Sequence, residues 1–348
     1  MRDFIIAGQG IAGTMLGLEL EARGSNILVV DNGHATSSTR VAAGLITPLT
    51  GKRLALTWRA REMLAAAIPA YRKLEEKWSV RLLEEIPTSR IFQNPEEEQL
   101  WAARQSDPAY ADFLGDRIAQ ENVSKWVNAP HGGAWVKGSG WVNLPRLLDR
   151  ARLEWSAQGQ LISTQLDPAQ VKSVPGGVKT PVGTARMLIW CDGYRAEHNP
   201  SLEGLAFRSA RGDILTLRCN LPSDRIWNAG VFVQPHGGGL FKVGATYDWD
   251  HLEPVPSPAG REELEKKLRA LLRVPFEVVS HEAGVRPVAV QRVPVAGRHP
   301  NRPGIAAFNG LGSKGTLQAP AVAHMLADHL LIGSSLPDEI DLGHRMGG

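Results

Sequence analysis

The stretch DFIIAGQGIAGTMLGLELEARGSNILVVD, residues 3–31, sets out in order a strand, a glycine turn, a helix, a second strand and an acid. Phe4 to Ala7 are apolar without alternation, the pattern of a parallel strand covered on both faces. Gly8, Gly10 and Gly13 follow with G-x-G-x-x-G spacing. The first permits a tight turn, the second lets a pyrophosphate approach the backbone, and the third lets the helix pack closely on the strand. Leu16, Leu18, Leu20 and Ala22 give the helix its packing residues, and Gly24 stands just beyond the expected C-cap. Ile27 to Val30 make the second strand, which Asp31 ends. An acid there can accept hydrogen bonds from both hydroxyls of an adenosine ribose, while the unpaired N–H groups at the helix start face the phosphates. The unit therefore selects a dinucleotide through Gly8, Gly10, Ile11, Ala12, Gly13, Asp31 and Asn32. By itself it does not separate FAD from NAD.

The remaining chain is long enough for two domains or one elaborated domain, at 348 residues. A net charge of +3, with basic and acidic residues interspersed, does not indicate a dedicated nucleic-acid surface. Cys191 and Cys219 are the only cysteines, which excludes a disulfide framework and a cysteine metal site and fits a reducing cytoplasm. Arg2 before an apolar run imitates a signal peptide, but Gln9, the repeated glycines and the nucleotide motif argue against one. No run of about 18 apolar residues exists to span a membrane.

After Asp31 a Gly/Ser/Thr-rich loop centres on Ala42, Ala43 and Gly44, small residues able to lie flat against a large ligand. Leu64, Ile68, Tyr71, Leu74 and Trp78 recur at helical spacing, with Pro69 expected to kink that helix or begin a second segment. Asn94-Pro95 and Asp107-Pro108 open further helical segments. Residues 126–142 read as strands, 143–155 as helix, and MLIWCDG (187–193) as a buried strand with a glycine turn at Asp192 and Gly193. Residues 211–218, 229–234 and 239–247 read as β-structure, with PHGGG as a hairpin loop. Ser257-Pro258 caps an amphipathic helix whose wet face carries Glu262/Lys266 and Glu263/Lys267 pairs. The fold expected is α/β. A Rossmann-type dinucleotide domain is built from 1–80, 141–210 and 285–348, and a mainly antiparallel β-sheet domain with helices, 81–140 and 211–284, is inserted into it.

A second glycine turn, Gly310-Leu311-Gly312-Ser313-Lys314-Gly315, lies between a strand (305–308) and a helix beginning near Thr316. It is not a Walker A loop, because Lys314 precedes the last glycine instead of following it. A helix start plus a lysine makes a positive pole suited to a developing negative charge. His324 and His329 are five apart and no H-E-x-x-H occurs, so no metal site is expected. Trp101, Trp126, Trp135, Trp141, Trp227 and Trp249 could line an aromatic pocket, but core packing is the commoner use.

Taken together, Gly8-x-Gly10-x-x-Gly13 with Asp31, STRVAAGLITP, LIWCDG, ARGDI, VGAT, GVRP and FNGLGSKG resemble the FAD-dependent amine oxidases of the D-amino-acid oxidase and glycine oxidase superfamily. The resemblance runs from residue 1 to about 332, and it extends to the flavin half of a bifunctional tRNA wobble-uridine modification enzyme. It implies a non-covalent FAD, since no cysteine stands near the C-terminal loop. It sets Ser38 and Thr39 near the pyrophosphate, Ala43, Gly44 and Leu45 near the flavin ring, and Gly310, Gly312, Ser313, Lys314, Gly315 and Thr316 around the ring's C2 carbonyl, with Asp192 and Gly193 also at the cofactor. It matches Arg286 to an arginine that grips the substrate carboxylate, with Tyr247 at the pocket border. The partners implied are a small amine or amino acid and oxygen or another electron acceptor. An amine on tRNA, a non-catalytic flavoprotein subunit and a nicotinamide dehydrogenase are the other readings.

Overall fold

The structure, a computed structural model, describes residues 1–33 and 37–347; His34 to Thr36 of the loop after Asp31 lie outside the described residues. Among the described residues, eight strands form a first sheet whose centre is parallel. Its order is Leu161–Ile162, Ile27–Val30, Arg2–Ala7, Gly183–Trp190, Ile305–Asn309. Phe4 and Ile6 point into one core and Ile5 and Ala7 into another, which is why the strand carries no polar alternation. The helices Ile11–Ala22, Ala60–Trp78, Leu144–Ala157 and Gly315–Ile332 cover the first of these faces. Gly17 matters here: a Cβ on it would lie 2.9 Å from the Trp155 ring, so the residue lets two helices meet.

Pro69 neither ends nor splits its helix, which runs unbroken over Ala60–Trp78. The proline costs one i→i−4 bond. Met63, Ala67, Tyr71, Leu74 and Trp78 are nevertheless buried in one row on either side of it, and the Tyr71 hydroxyl donates to the Thr316 carbonyl at 2.7 Å. In 126–142 the strands begin later than expected, at Gly133–Val136 and Gly140–Val142.

A second eight-stranded sheet runs Phe276–Arg286, Ala210–Cys219, Leu240–Gly244, Phe232–Gly237, Ile226–Asn228, Thr88–Ile91, Gly133–Val136, Leu114–Ile118. All its pairs are antiparallel except Ile226–Asn228 with Thr88–Ile91. Leu215, Leu217, Val233, Phe241 and Val243 pack beneath Leu264, Leu268 and Leu271 of the helix Pro258–Leu271. Ser257 caps that helix, Glu263 pairs with Lys267, and Glu265 sits between Arg261 and Arg269 on the wet side.

Strand alternation turns Thr216, Gln234 and Lys242, which lie side by side, to the opposite face together with Gly212 and Gly284. That face meets the first sheet's loops. A Cβ on Gly284 would lie 3.1 Å from Ser38 Cα, and the Lys242 amine donates to the Val41 carbonyl at 3.2 Å.

Candidate cofactor and substrate site

Three neighbouring parallel strands, Arg2–Ala7, Gly183–Trp190 and Ile305–Asn309, run out at the same edge of the first sheet. Each feeds a turn rich in glycine: Gly8–Gly13, Asp192–Gly193 and Gly310–Gly315. In open α/β sheets ligands bind outside the carboxyl ends of the strands, where helix N-termini converge. Here the two helix starts touch, since a Cβ on Gly315 would lie 3.0 Å from Ile11 Cγ2.

The first turn is closed by space. A Cβ on Gly8, whose φ is +109°, would lie 2.3 Å from the Cys191 carbonyl oxygen, and one on Gly13 would lie 1.9 Å from that of Gly8. Thr39 reaches the same point, its hydroxyl accepting from the Ile11 N–H at 3.1 Å. Asp31 is buried, with Oδ2 accepting from the Gln9 N–H at 2.9 Å and Oδ1 from the Gly33 N–H at 2.7 Å. Arg152, from the helix Leu144–Ala157, pairs with it at 3.2 Å and also donates to the Gln9 side chain and Ser163. A cleft lined by Gln9, Asp31, Ser37, Arg40 and Arg152 opens beside this carboxylate. Arg152 and Arg40 escaped the sequence reading because nothing local distinguishes one arginine of a helix from the next.

The loop Ala43–Leu45 is fixed by a different close approach. Gly44 has φ +72°, and a Cβ on it would lie 1.9 Å from the Val142 carbonyl oxygen, whose residue also donates its N–H to Gly44 at 2.9 Å. Leu45 pairs with Trp141, whose ring lies 5.4 Å from that of His236. The loop is thus tied to the strand Gly140–Val142 and, through Trp141, to His236 of the second sheet.

At the other end, Gly310 and Gly312 have φ of +73° and +54°. The Lys314 amine turns inward to donate to the carbonyls of Thr47 and Leu49, at 3.3 Å each, and burial lowers its pKa to about 7. Ser313 is exposed, and Thr316 gives its carbonyl to Tyr71. Asp192 accepts from Asn199 and Asn309 at 2.9 and 3.0 Å, while burial outweighs these bonds and raises its pKa to about 6.

Arg286 ends the strand Phe276–Arg286, and the next residue, Pro287, accepts from the Gly312 N–H at 2.9 Å. The arginine is therefore joined directly to the C-terminal glycine turn. Its guanidinium donates to the Thr246 carbonyl at 3.2 Å and lies 4.5 Å from the Tyr247 ring centroid; burial lowers its pKa. Gly212 is what makes room for it: a Cβ there would lie 2.0 Å from Arg286 Nη2. Asp213, beside it on the strand, is fully engaged, accepting from Thr246, the Ser257 N–H and His281.

FAD fits these residues. The glycines leave a bare backbone at three strand ends, and a buried carboxylate stands at the second strand, as an adenosine ribose requires. Among the described residues no group of three His, Cys, Asp or Glu side chains could hold a metal ion. No helix among them is long and apolar enough to cross a membrane.

The edge geometry thus defines a dinucleotide-binding protein. The chain belongs to the DAO family of FAD-dependent oxidoreductases, whose family model matches residues 3–329. It is 24% identical over 363 residues to the tRNA 5-methylaminomethyl-2-thiouridine biosynthesis bifunctional protein MnmC of Marinobacter nauticus, covering 94% of this chain and 55% of that protein. It is 24% identical over 372 residues to the bifunctional protein ThiO/ThiG of a Nostoc species, covering 97% and 54%. The chain thus spans about half the length of the curated relatives it matches. Glycine oxidase from Geobacillus kaustophilus has the same fold, with a TM-score of 0.80 over 96% of this chain and 95% of that one at 20% identity. Iminodiacetate oxidase from a Chelativorans species gives 0.76 over 97% of both chains at 19% identity.

Proposed function

We propose that this FAD-dependent oxidoreductase oxidises the carbon–nitrogen bond of a small amine, with an amino acid as its natural form. Bound FAD supplies a two-electron acceptor for the hydride on the carbon that bears nitrogen, leaving an imine that water hydrolyses. In this reading the first sheet, with 1–80, 141–210 and 285–348, is the cofactor domain, and 81–140 with 211–284 is the substrate domain. Gly8, Gly10, Gly13 and Asp31 hold the adenosine half. Ala43 to Leu45 and Gly310 to Thr316 bound the flavin half. Arg286 holds the substrate carboxylate by a bidentate fork, which fixes the carbon to be oxidised. Oxygen or another acceptor restores the cofactor. The FAD is non-covalent, and two free cysteines, Cys191 and Cys219, fit a cytoplasmic setting.

What carries the reading is the coupling of Arg286 to the glycine turn through Pro287 and Gly312, which joins a carboxylate-binding group to the cofactor edge. Anaerobic mixing of the FAD-loaded protein with amino acids tests it: bleaching of the flavin by an amino acid, reduced about 10²- to 10³-fold in rate constant over KM by Arg286→Leu, is the expected outcome. A flavin that no amine bleaches would point instead to a non-catalytic flavoprotein. Bleaching only by a modified tRNA would favour the macromolecular substrate suggested by the MnmC-type relatives.

A further inference from the structure

One guanidinium joins three parts of the cofactor cradle that lie far apart in the chain. From the helix Leu144–Ala157, Arg152 donates through Nη1 to the Gln9 side-chain oxygen at 2.7 Å and to Asp31 Oδ1 at 3.2 Å, and through Nη2 to the Ser163 hydroxyl at 2.8 Å. Gln9 stands inside the first glycine turn, Asp31 follows the second strand, and Ser163 follows the edge strand Leu161–Ile162. Gln9 closes the ring: its backbone N–H donates to Asp31 Oδ2 at 2.9 Å, and its side-chain amide donates to the Leu148 carbonyl at 2.9 Å, one helical turn before Arg152. The glycine turn, the acid and the helix are therefore one hydrogen-bonded body.

The position of the guanidinium is set by packing. Trp155, one turn beyond Arg152 and fully buried, seats the helix against Gly17, where a Cβ would lie 2.9 Å from the ring. Gly33 leaves room for the arginine, since a Cβ on it would lie 3.1 Å from Arg152 Nη2. Asp149, on the same side of the helix, pairs with Arg40, so one helix face meets the chain on both sides of the loop after Asp31. The two ion pairs differ in weight. Asp149 is half exposed, and a pair of that kind contributes little. Asp31 is buried, and a buried carboxylate that loses its cation is left uncompensated.

We propose that Arg152 is a positioning residue for FAD that acts through Asp31, holding the buried carboxylate and the glycine turn in the arrangement that receives the adenosine ribose and the pyrophosphate. To accept hydrogen bonds from two ribose hydroxyls the carboxylate must stay ionised, and it must do so near an anionic pyrophosphate. A cation 3.2 Å away offsets both burdens. A lysine at this position would supply the charge without the fork that reaches Gln9 and Ser163 together. The inference concerns the cofactor alone and is independent of which amine is oxidised.

The full-length protein, freed of flavin, is titrated with FAD by calorimetry. Arg152→Gln should weaken binding about 10- to 30-fold, and Arg152→Lys should recover part of that loss. Arg150→Gln removes an arginine of the same helix that donates to the Trp78 carbonyl at 3.1 Å, and it should leave the affinity unchanged. In an Asp31→Asn background Arg152→Gln should cost about threefold or less, because the charge it compensates has gone. At saturating FAD the flavin absorption band of Arg152→Gln should coincide with the parent's. Parental affinity in Arg152→Gln, or losses that multiply in the double variant, overturns the proposal. An equal loss in Arg150→Gln overturns it as a general effect of helix docking, and a displaced flavin band overturns it by placing the influence of Arg152 at the flavin end. Melting temperatures of the flavin-free proteins check folding. Should Arg152→Gln fail that check, Arg152→Lys decides: a loss of about threefold or more at a parental melting temperature is expected, and parental affinity overturns the proposal.

Discussion

The turns at Gly8–Gly13 and Gly310–Gly315 are built from the same parts, a parallel strand, glycines and a helix start, and flank the same strand, Gly183–Trp190. They are held by different physics. In the first, glycine is demanded by contact, since a Cβ would run into a carbonyl oxygen at Gly8 or Gly13. In the second, Gly312 is demanded by backbone conformation alone, with φ +54° and the nearest atom to an added Cβ 3.7 Å away, and the close neighbours of Gly310 and Gly315 are side-chain atoms at 3.0 Å. The first turn carries a buried acid and the second a buried base near neutrality. The first turn is closed against carbonyl oxygens, which cannot give way, whereas the second is closed against side-chain atoms and, at Gly312, by conformation alone.

The sharpest way to break this contrast is substitution at matched positions. Gly8→Ala and Gly13→Ala should each destabilise the protein by about 3 kcal/mol, with loss of bound flavin, because carbonyls cannot move aside. Gly312→Ala should cost only about 1 kcal/mol, that of a left-handed alanine. Urea unfolding with flavin absorbance measures both, and equal losses would erase the distinction. Gly212→Ala tests the substrate side: its Cβ takes the place of the Arg286 guanidinium, so turnover should fall with Arg286→Leu while flavin content is kept. Asp31→Asn should weaken FAD binding about tenfold by calorimetry, as expected for one hydrogen bond from a charged group.

The two turns also differ in how they respond to pH. Lys314 titrates near 7 in the folded chain against an ordinary 10.5. Between those values the unfolded chain binds a proton that the folded one does not, so this group makes stability rise with pH across that window. The stability difference between the parent and Lys314→Met should therefore shift in the parent's favour as pH climbs from about 7 to 10.5. Asp192 runs the other way: raised from 3.8 to about 6, it holds a proton when folded that the unfolded chain has released, so stability falls as pH rises through that interval. Asp192→Asn should abolish the fall, read from melting temperatures across the range.

The first sheet was legible in the sequence because a doubly covered strand leaves an unalternated apolar run and the glycine spacing has few other uses. The antiparallel sheet was legible in outline from period-two segments and the PHGGG hairpin. Arg152 and Gly212 were not, and for one reason. Arg152 reaches Asp31 across 121 residues, and Gly212 faces the Arg286 side chain only because Ala210–Cys219 pairs in register with Phe276–Arg286. Such roles arise from tertiary pairing, which local pattern does not encode. Pro69 shows the converse: it does not begin a second segment, because the helix continues through it with buried residues on either side. The tryptophans divided, with Trp101 and Trp227 in the core and Trp249 at the surface.

The strand Phe276–Arg286 is paired along its whole length with Ala210–Cys219, so Arg286 is set by a rigid beam, while Tyr247 and Trp249 stand on a short exposed segment beside it. A substitution at either exposed ring should therefore leave the pairing of the beam, and with it the place of Arg286 beside the C-terminal glycine turn, unchanged.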